Sequence, residues 1–207
     1  MTVLDLDALR RTPLSRDPYE YLIVPGLVPT ERVNEVVRDF PKIAKPGLFP
    51  LSALDVRGAF SSLIGELDGN AFEAAMSEKF GVALAGKPKL FTIRGRCHPK
   101  DGGIHTDSTN KIVTVLLYLN PAWESQGGRL RVLRSATNLN DFAAEVPPLA
   151  GTMLAFRRSE RSYHGHESFS GERRAIQVNW ITDVATRDRE ENRHRWSARF
   201  KALNPFA

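Results

Sequence analysis

Two residues of a kind that binds metal ions, His105 and Asp107, stand two positions apart at the start of a run of β-type residues. In an extended segment, side chains two positions apart project to the same side, so both could reach one cation. A polar loop could carry the same pair by chance. The pair therefore predicts a metal site only if the fold brings a third ligand to it.

A second source of ligands lies near the end of the β-rich region, where His164 and His166 follow Tyr163. Antiparallel strands that are distant in sequence become neighbours in a jelly roll, so a histidine from this segment could join the first pair. Two histidines and one carboxylate leave room on the metal, which is typical of non-haem Fe(II) oxygenases that bind a chelating co-substrate and O2. On this pattern alone, either histidine is a candidate.

A dicarboxylate co-substrate also needs a cation at its far end, and arginine is suited because its guanidinium donates two parallel hydrogen bonds to a carboxylate. Arg173 and Arg174 open a strand whose alternate residues form a polar face and an apolar face, and Arg173 lies on the polar one. We therefore prefer Arg173 to Arg174. On the predicted strand Ile112–Leu119, Thr114 and Tyr118 share a face, so the Tyr118 hydroxyl could add a second hydrogen bond.

These residues and the motifs between them resemble the prolyl-4-hydroxylase-like branch of the 2-oxoglutarate/Fe(II) dioxygenases. The resemblance covers about the C-terminal half of the chain. In chain order, the matching features are the His-x-Asp of His105 and Asp107, Thr114 with Tyr118-Leu119-Asn120 and Trp123, Gly127-Gly128-Arg129-Leu130-Arg131, the run 151–156, and His164 nine residues before Arg173, followed by Ala175-Ile176.

The resemblance implies an iron site and a co-substrate site. The iron ligands that it implies are His105, Asp107 and His164. The residues that it implies for the distal carboxylate of 2-oxoglutarate are Arg173, Tyr118 and Thr114. It further implies Fe(II), 2-oxoglutarate and O2, with ascorbate as an additional candidate. The implied reaction is hydroxylation of an unidentified small-molecule or protein substrate, with release of succinate and CO2.

The second histidine departs from the family pattern. His166 stands where the family usually has an apolar residue, and Ser168 stands where it often has proline. His166 is therefore a rival ligand to His164, and otherwise a histidine behind the site or facing the substrate. His98 is expected at the surface beside the mouth of the site, and His194 is expected in solvent.

Two alternative functions stay open. The net charge of +5, from 29 Lys and Arg against 24 Asp and Glu, favours an anionic partner. A nucleic-acid-directed oxygenase is therefore one alternative. Against it, the sequence has no evident aromatic platform for stacking bases, so nucleic acid is not the expected partner. A jelly-roll protein that binds a ligand without catalysis is the alternative from another class. The oligomeric state is left open.

The secondary structure predicted to position these residues changes from helical to β-type and back to helical along the chain. Residues 1–87 are mainly helical in pattern, with helices expected over 33–40, 54–67 and from an N-cap pair at Asn70 and Glu73 to Gly81. Residues 88–182 form seven short β-type runs separated by turns, and residues 183–207 form a charged helix in which Trp196 and Phe200 could dock. We predict one α+β domain: a double-stranded β-helix, or jelly roll, with N-terminal helices on one sheet and a short C-terminal helix.

The composition limits the kinds of metal site and the cellular location that we expect for this domain. Cys97 is the only cysteine, which excludes an internal disulfide and a cysteine-rich zinc site. No apolar run is long enough to cross a bilayer, and the first sixteen residues lack the pattern of a secretory signal. We therefore expect a cytoplasmic protein without a membrane partner.

Overall fold

The chain folds into two antiparallel sheets with helices on one side. The structure is a computed structural model that describes residues 2–203, with side chains as far as Arg199. The helices are α1 (Leu6–Arg11), α2 (Thr30–Arg38), α3 (Gly58–Asp68), α4 (Asn70–Phe80) and α5 (Val184–Leu203), and a short 3-10 turn spans Leu51–Ala53. The strands are β1 (Tyr21–Val24), β2 (Phe49–Pro50), β3 (Lys89–Cys97), β4 (Lys111–Tyr118), β5 (Leu130–Leu133), β6 (Phe142–Val146), β7 (Met153–Arg157), β8 (His164–Gly165) and β9 (Gly171–Ile181).

The larger sheet has six strands in the order β1-β7-β4-β9-β3-β2, and the smaller has three in the order β6-β5-β8. Every strand pair in both sheets is antiparallel. The predicted fold class, an α+β double-stranded β-helix, is confirmed. All seven strands predicted from residue 88 onward are present, with ends shifted by a few residues.

Alternation along β4 and β9 gives the larger sheet one apolar face, which packs under the helices. Val115, Val178 and Trp180 are fully buried there together with Phe72 of α4. The rings of Trp180 and Phe72 stack with their centroids 5.9 Å apart. Because successive side chains in a strand point to opposite faces, the other face of the same strands is left to line a cavity.

Several sequence predictions need correction. Strands β1 and β2 lie inside the part predicted to be mainly helical, because a short apolar run such as Tyr21–Val24 has no periodicity that separates strand from helix. Asn70 is not an N-cap: it is the first residue of α4, Gly69 holds the cap position, and no side chain caps the helix. Glu73 instead lies 3.4 Å from Lys89 Nζ.

The C-terminal helix has 20 residues and lies within the range 183–207 predicted for it. Trp196 does not dock, since it is 57% exposed. The side chain of Phe200 and residues 204–207 lie outside the described part. Among the described residues, no helix combines the length and the apolar character that a membrane span needs.

Candidate metal centre

The structure brings His105, Asp107 and His164 together, with one ligand atom from each lying within 4.8 Å of the others. His105 and Asp107 lie in the loop before β4, whereas His164 begins β8 in the smaller sheet. The two histidines are tied through their backbones. The His105 N–H donates to the His164 carbonyl at 3.1 Å, and the His164 N–H donates to the His105 carbonyl at 3.0 Å.

Both imidazoles are oriented by backbone carbonyls behind them. Nδ1 of His105 lies 2.8 Å from the Gly103 carbonyl, and Nδ1 of His164 lies 2.9 Å from the Ser162 carbonyl. A carbonyl only accepts, so each Nδ1 carries the proton and each Nε2 keeps its lone pair for a metal. Burial lowers the pKa of His164 to about 4, so this ligand is neutral at neutral pH.

The Asp107 carboxylate is held by two side chains of β4. Lys111 Nζ donates to one oxygen at 2.7 Å, and Thr114 Oγ1 donates to the other at 2.5 Å. Burial opposes ionisation, but the Lys111 ammonium, His164 and these hydrogen bonds together hold the pKa of Asp107 below its ordinary value. The site therefore offers two imidazole nitrogens and one carboxylate oxygen, a donor set that fits Fe(II).

Arg173 Nη2 and the Tyr118 hydroxyl are two of the four buried side-chain atoms that lack a hydrogen-bond partner among the described residues. Arg173 is 4% exposed, its Nε donates to the Gly128 carbonyl at 2.8 Å, and it forms no ion pair with a described acidic residue. The guanidinium lies over the Tyr118 ring, 5.2 Å from the centroid. Unsatisfied buried donors are rare and costly, so this pair fits an anionic group such as a ligand carboxylate.

A cavity of about 380 Å³ joins these parts. Its wall includes the three candidate ligands, and Thr114, Arg173 and Gln177 also line it. Arg174 points to the opposite side of the sheet, where it meets Glu172 at 2.7 Å and lies against Phe40 of the helical layer. The alternation that separated Arg173 from Arg174 is thus present in the fold. Thr114 lies on the cavity face, but its hydroxyl is engaged by Asp107.

The remaining histidines are placed as follows. His166 is 7% exposed and lines the cavity, yet it is not part of the three-residue cluster, and its Nδ1 lies 2.8 Å from the Glu167 carbonyl. His98 is exposed and does not line this cavity. The prediction for His194 is wrong: it is half-buried and lines a smaller cavity, because α5 folds back against the larger sheet.

Sequence reasoning missed four charged residues of the cavity wall, Arg94, Lys100, Asp101 and Lys111. Lys111 pairs with Asp107, and Arg94 pairs with Asp101. The spacing of four between Asp107 and Lys111 was the only available signal, and outside a helix such spacing carries little information. Arg94 could have been found from the alternation of β3, where it opposes Ala175 of the polar face of β9.

Comparisons with known proteins agree with this geometry. Residues 95–182 match the family model described as the 2OG-Fe(II) oxygenase superfamily. No curated protein matches the chain. Among solved structures, a prolyl-4-hydroxylase from Pseudomonas putida is similar with a TM-score of 0.54 and 16% identity, over 86% of this chain and 97% of that one.

Two further solved structures are similar. A viral collagen prolyl hydroxylase from Paramecium Bursaria Chlorella virus-1, in its 2-oxoglutarate complex, has a TM-score of 0.51 and 13% identity, over 79% of this chain and 96% of that one. HygX from Streptomyces hygroscopicus, with nickel and 2-oxoglutarate bound, has a TM-score of 0.52 and 12% identity, over 78% and 81%. At these identities the structures support the fold.

The match of residues 95–182 to the family model agrees with the predicted resemblance to the 2-oxoglutarate/Fe(II) oxygenases, and the solved structures support the predicted fold. The family match also supports the enzyme class predicted from the sequence, a 2-oxoglutarate-dependent dioxygenase.

Proposed function

We propose that this protein hydroxylates a small molecule or a protein side chain, using Fe(II), 2-oxoglutarate and O2 and releasing succinate and CO2. The observation that carries the proposal is Arg173 Nη2, which has no hydrogen-bond partner among the described residues. Arg173 is buried in the wall of the cavity that His105, Asp107 and His164 also line. A metal centre alone would not require a buried cation there. A dicarboxylate chelated at one end and clamped at the other accounts for both features.

In this proposal, bound iron supplies the activation of O2 and of the co-substrate. The protein's own residues bind and orient. His105, Asp107 and His164 hold the metal, and the hydrogen bonds at the two Nδ1 atoms keep the imidazoles facing it. Arg173 and Tyr118 would bind the distal carboxylate of 2-oxoglutarate, which turns the rest of that molecule toward the ligands. Thr114 would orient Asp107.

Two neighbouring arginines allow a matched test. Arg173→Met should raise the 2-oxoglutarate concentration needed for half-maximal succinate release by about tenfold to a hundredfold, since a charge-assisted hydrogen-bonded contact is lost. Arg174→Met removes the same charge outside the cavity and should leave that concentration unchanged. Succinate release would be measured with Fe(II), substrate candidates and O2, with Asp107→Ala as the blank.

The outcomes of this assay separate the alternatives. Equal release by wild type and Asp107→Ala would refute the metal assignment. Metal and 2-oxoglutarate binding without any succinate would favour the non-catalytic ligand-binding protein. We do not propose nucleic acid as the substrate, and salt-sensitive binding of an oligonucleotide would count against this choice. Ascorbate and a cytoplasmic location stay predictions from the sequence.

A further inference from the structure

A second, smaller cavity of about 170 Å³ lies next to the metal cavity. It is lined by β3, β4 and β9 of the larger sheet and by α5. Leu48, Lys111 and Gln177 belong to the walls of both cavities, so the two spaces adjoin beside the metal ligands. A molecule that reaches the metal could therefore extend into the smaller cavity.

The smaller cavity contains a polar group that no described residue satisfies. Thr92 lines it and is 1% exposed, and its hydroxyl has no hydrogen-bond partner among the described residues. Thr92 lies opposite Gln177 in the β3–β9 register, and Gln177 Nε2 is 3.3 Å from the Asn179 amide oxygen. A buried hydroxyl without a partner destabilises the fold, because its hydrogen bonds to water are lost and not replaced. A hydrogen-bonding group bound in this cavity would remove this destabilisation.

The charges around the smaller cavity are largely compensated. Lys111 is paired with Asp107 at 2.7 Å, and Arg193 of α5 is paired with Glu190 at 2.5 Å. The Asn179 amide oxygen is engaged by Thr114 Oγ1 at 2.9 Å and by Gln177 Nε2. The groups left for a ligand include the hydroxyl of Thr92, the amide oxygen of Gln177 and the amide nitrogen of Asn179. Amides and hydroxyls both donate and accept, so this wall suits an uncharged polar group better than an ion.

The size of the cavity limits what can enter. A protein cavity of about 150 Å³ holds a benzene ring, so the present volume suits a group of about six non-hydrogen atoms. We propose that the smaller cavity is a subsite for the primary substrate, and that it accepts an uncharged group bearing a hydroxyl or a carboxamide, bound by Thr92, Gln177 and Asn179. This inference rests on the proposed oxygenase function, in which the substrate must lie beside the metal.

Matched small probes test the charge preference. Butyramide, butyrate and butylammonium would be compared by saturation-transfer NMR on protein loaded with Ni(II) and 2-oxoglutarate, so that the co-substrate site is filled. Butyramide should bind at least tenfold more tightly than either ion. Equal or tighter binding of butyrate or butylammonium would overturn the inference.

Variants locate the binding. Thr92→Val removes the hydroxyl at nearly constant shape and should weaken butyramide about tenfold, while Thr92→Ser should retain it. Gln177→Glu should favour butylammonium over butyramide. Thr137→Val, at an exposed threonine that lines neither cavity, is the control and should match wild type. Unchanged butyramide affinity in both Thr92→Val and Gln177→Glu would refute the subsite.

Failure of the proposed oxygenase function can be distinguished from failure of the proposed subsite. If wild-type protein binds neither Ni(II) nor 2-oxoglutarate, measured by calorimetry, the proposed function fails. If both bind and the affinity for butyramide is unchanged in both Thr92→Val and Gln177→Glu, only the subsite fails.

Discussion

The two sheets contribute to the site in different ways. The larger sheet has long strands whose apolar face is buried under α1–α4, and its other face carries Thr114, Tyr118 and Arg173. The smaller sheet has three short strands, and β8, which begins with His164, is only two residues long. The residues expected to bind the co-substrate therefore lie on long strands of the larger sheet, while one candidate metal ligand lies on a strand of only two residues.

This difference shows how the metal site is completed. Two contacts outside the smaller sheet hold His164 in position. One is the pair of backbone hydrogen bonds with His105. The other is packing against Phe156, whose ring centroid lies 4.7 Å from the imidazole centroid. Packing of the larger sheet fixes one wall of the cavity. The smaller sheet adds the second wall through a few specific contacts.

The largest expected difference between the sheets is in stability. Trp180→Ala in the larger sheet should lower the free energy of unfolding by about 3–5 kcal/mol, because it empties a fully buried site. Phe142→Ala in β6 of the smaller sheet removes an aromatic ring that is 37% exposed and should cost about 1 kcal/mol or less. Urea unfolding followed by circular dichroism measures both. Equal losses would show that the two sheets are equally well packed.

A second difference concerns pH in the metal-free protein. Burial lowers the pKa of His164 and His166 to about 4, against about 6.5 in an unfolded chain. Between these values the unfolded state binds more protons, so stability is present above pH 6.5 and is lost as pH falls toward 4. The loss should reach up to about 3 kcal/mol per histidine.

Urea unfolding in the presence of a chelator, at steps from pH 7 to pH 4.5, measures this loss. His98→Gln, at an exposed histidine, is the matched control and should keep the pH dependence of the wild type. His164→Gln combined with His166→Gln should flatten it. An unchanged slope in the double variant would contradict the assignment of this pH dependence to the smaller-sheet side of the cavity.

The smallest effect tests how the larger sheet supports the metal. Thr114→Val removes the hydroxyl that donates to Asp107 at 2.5 Å and should weaken metal binding about tenfold. Co(II) titration followed by its absorption spectrum measures the affinity, with Thr137→Val as the control for a threonine far from the site. Unchanged Co(II) affinity would mean that Lys111 alone holds the carboxylate in position.

The sequence predicted the β-rich half better than the helical half for a physical reason. Alternation along β9 distinguishes Arg173 from Arg174 because every residue of a paired strand is held to one face or the other. The short strands β1 and β2 have too few residues for any period to show. His164 could be preferred to His166 only through family spacing, since strand alternation places both on the same side.

The contacts of Lys111, Thr92 and His194 were beyond the reach of the sequence. Each depends on how α5 and the loop before β4 lie against the larger sheet, which no local pattern encodes. The candidate metal ligands, by contrast, carried their own signal in residue type and order. What the sequence left undetermined is therefore the surroundings of the site more than its chemistry.

The paired backbone hydrogen bonds between His105 and His164 have a consequence for metal exchange. Folding itself brings together two imidazoles that are far apart along the chain, so the ion does not have to organise them when it arrives. A metal site that is preorganised in this way can exchange one divalent cation for another without rearrangement of its histidine ligands. The identity of the bound ion would then follow its supply as much as the protein's own preference.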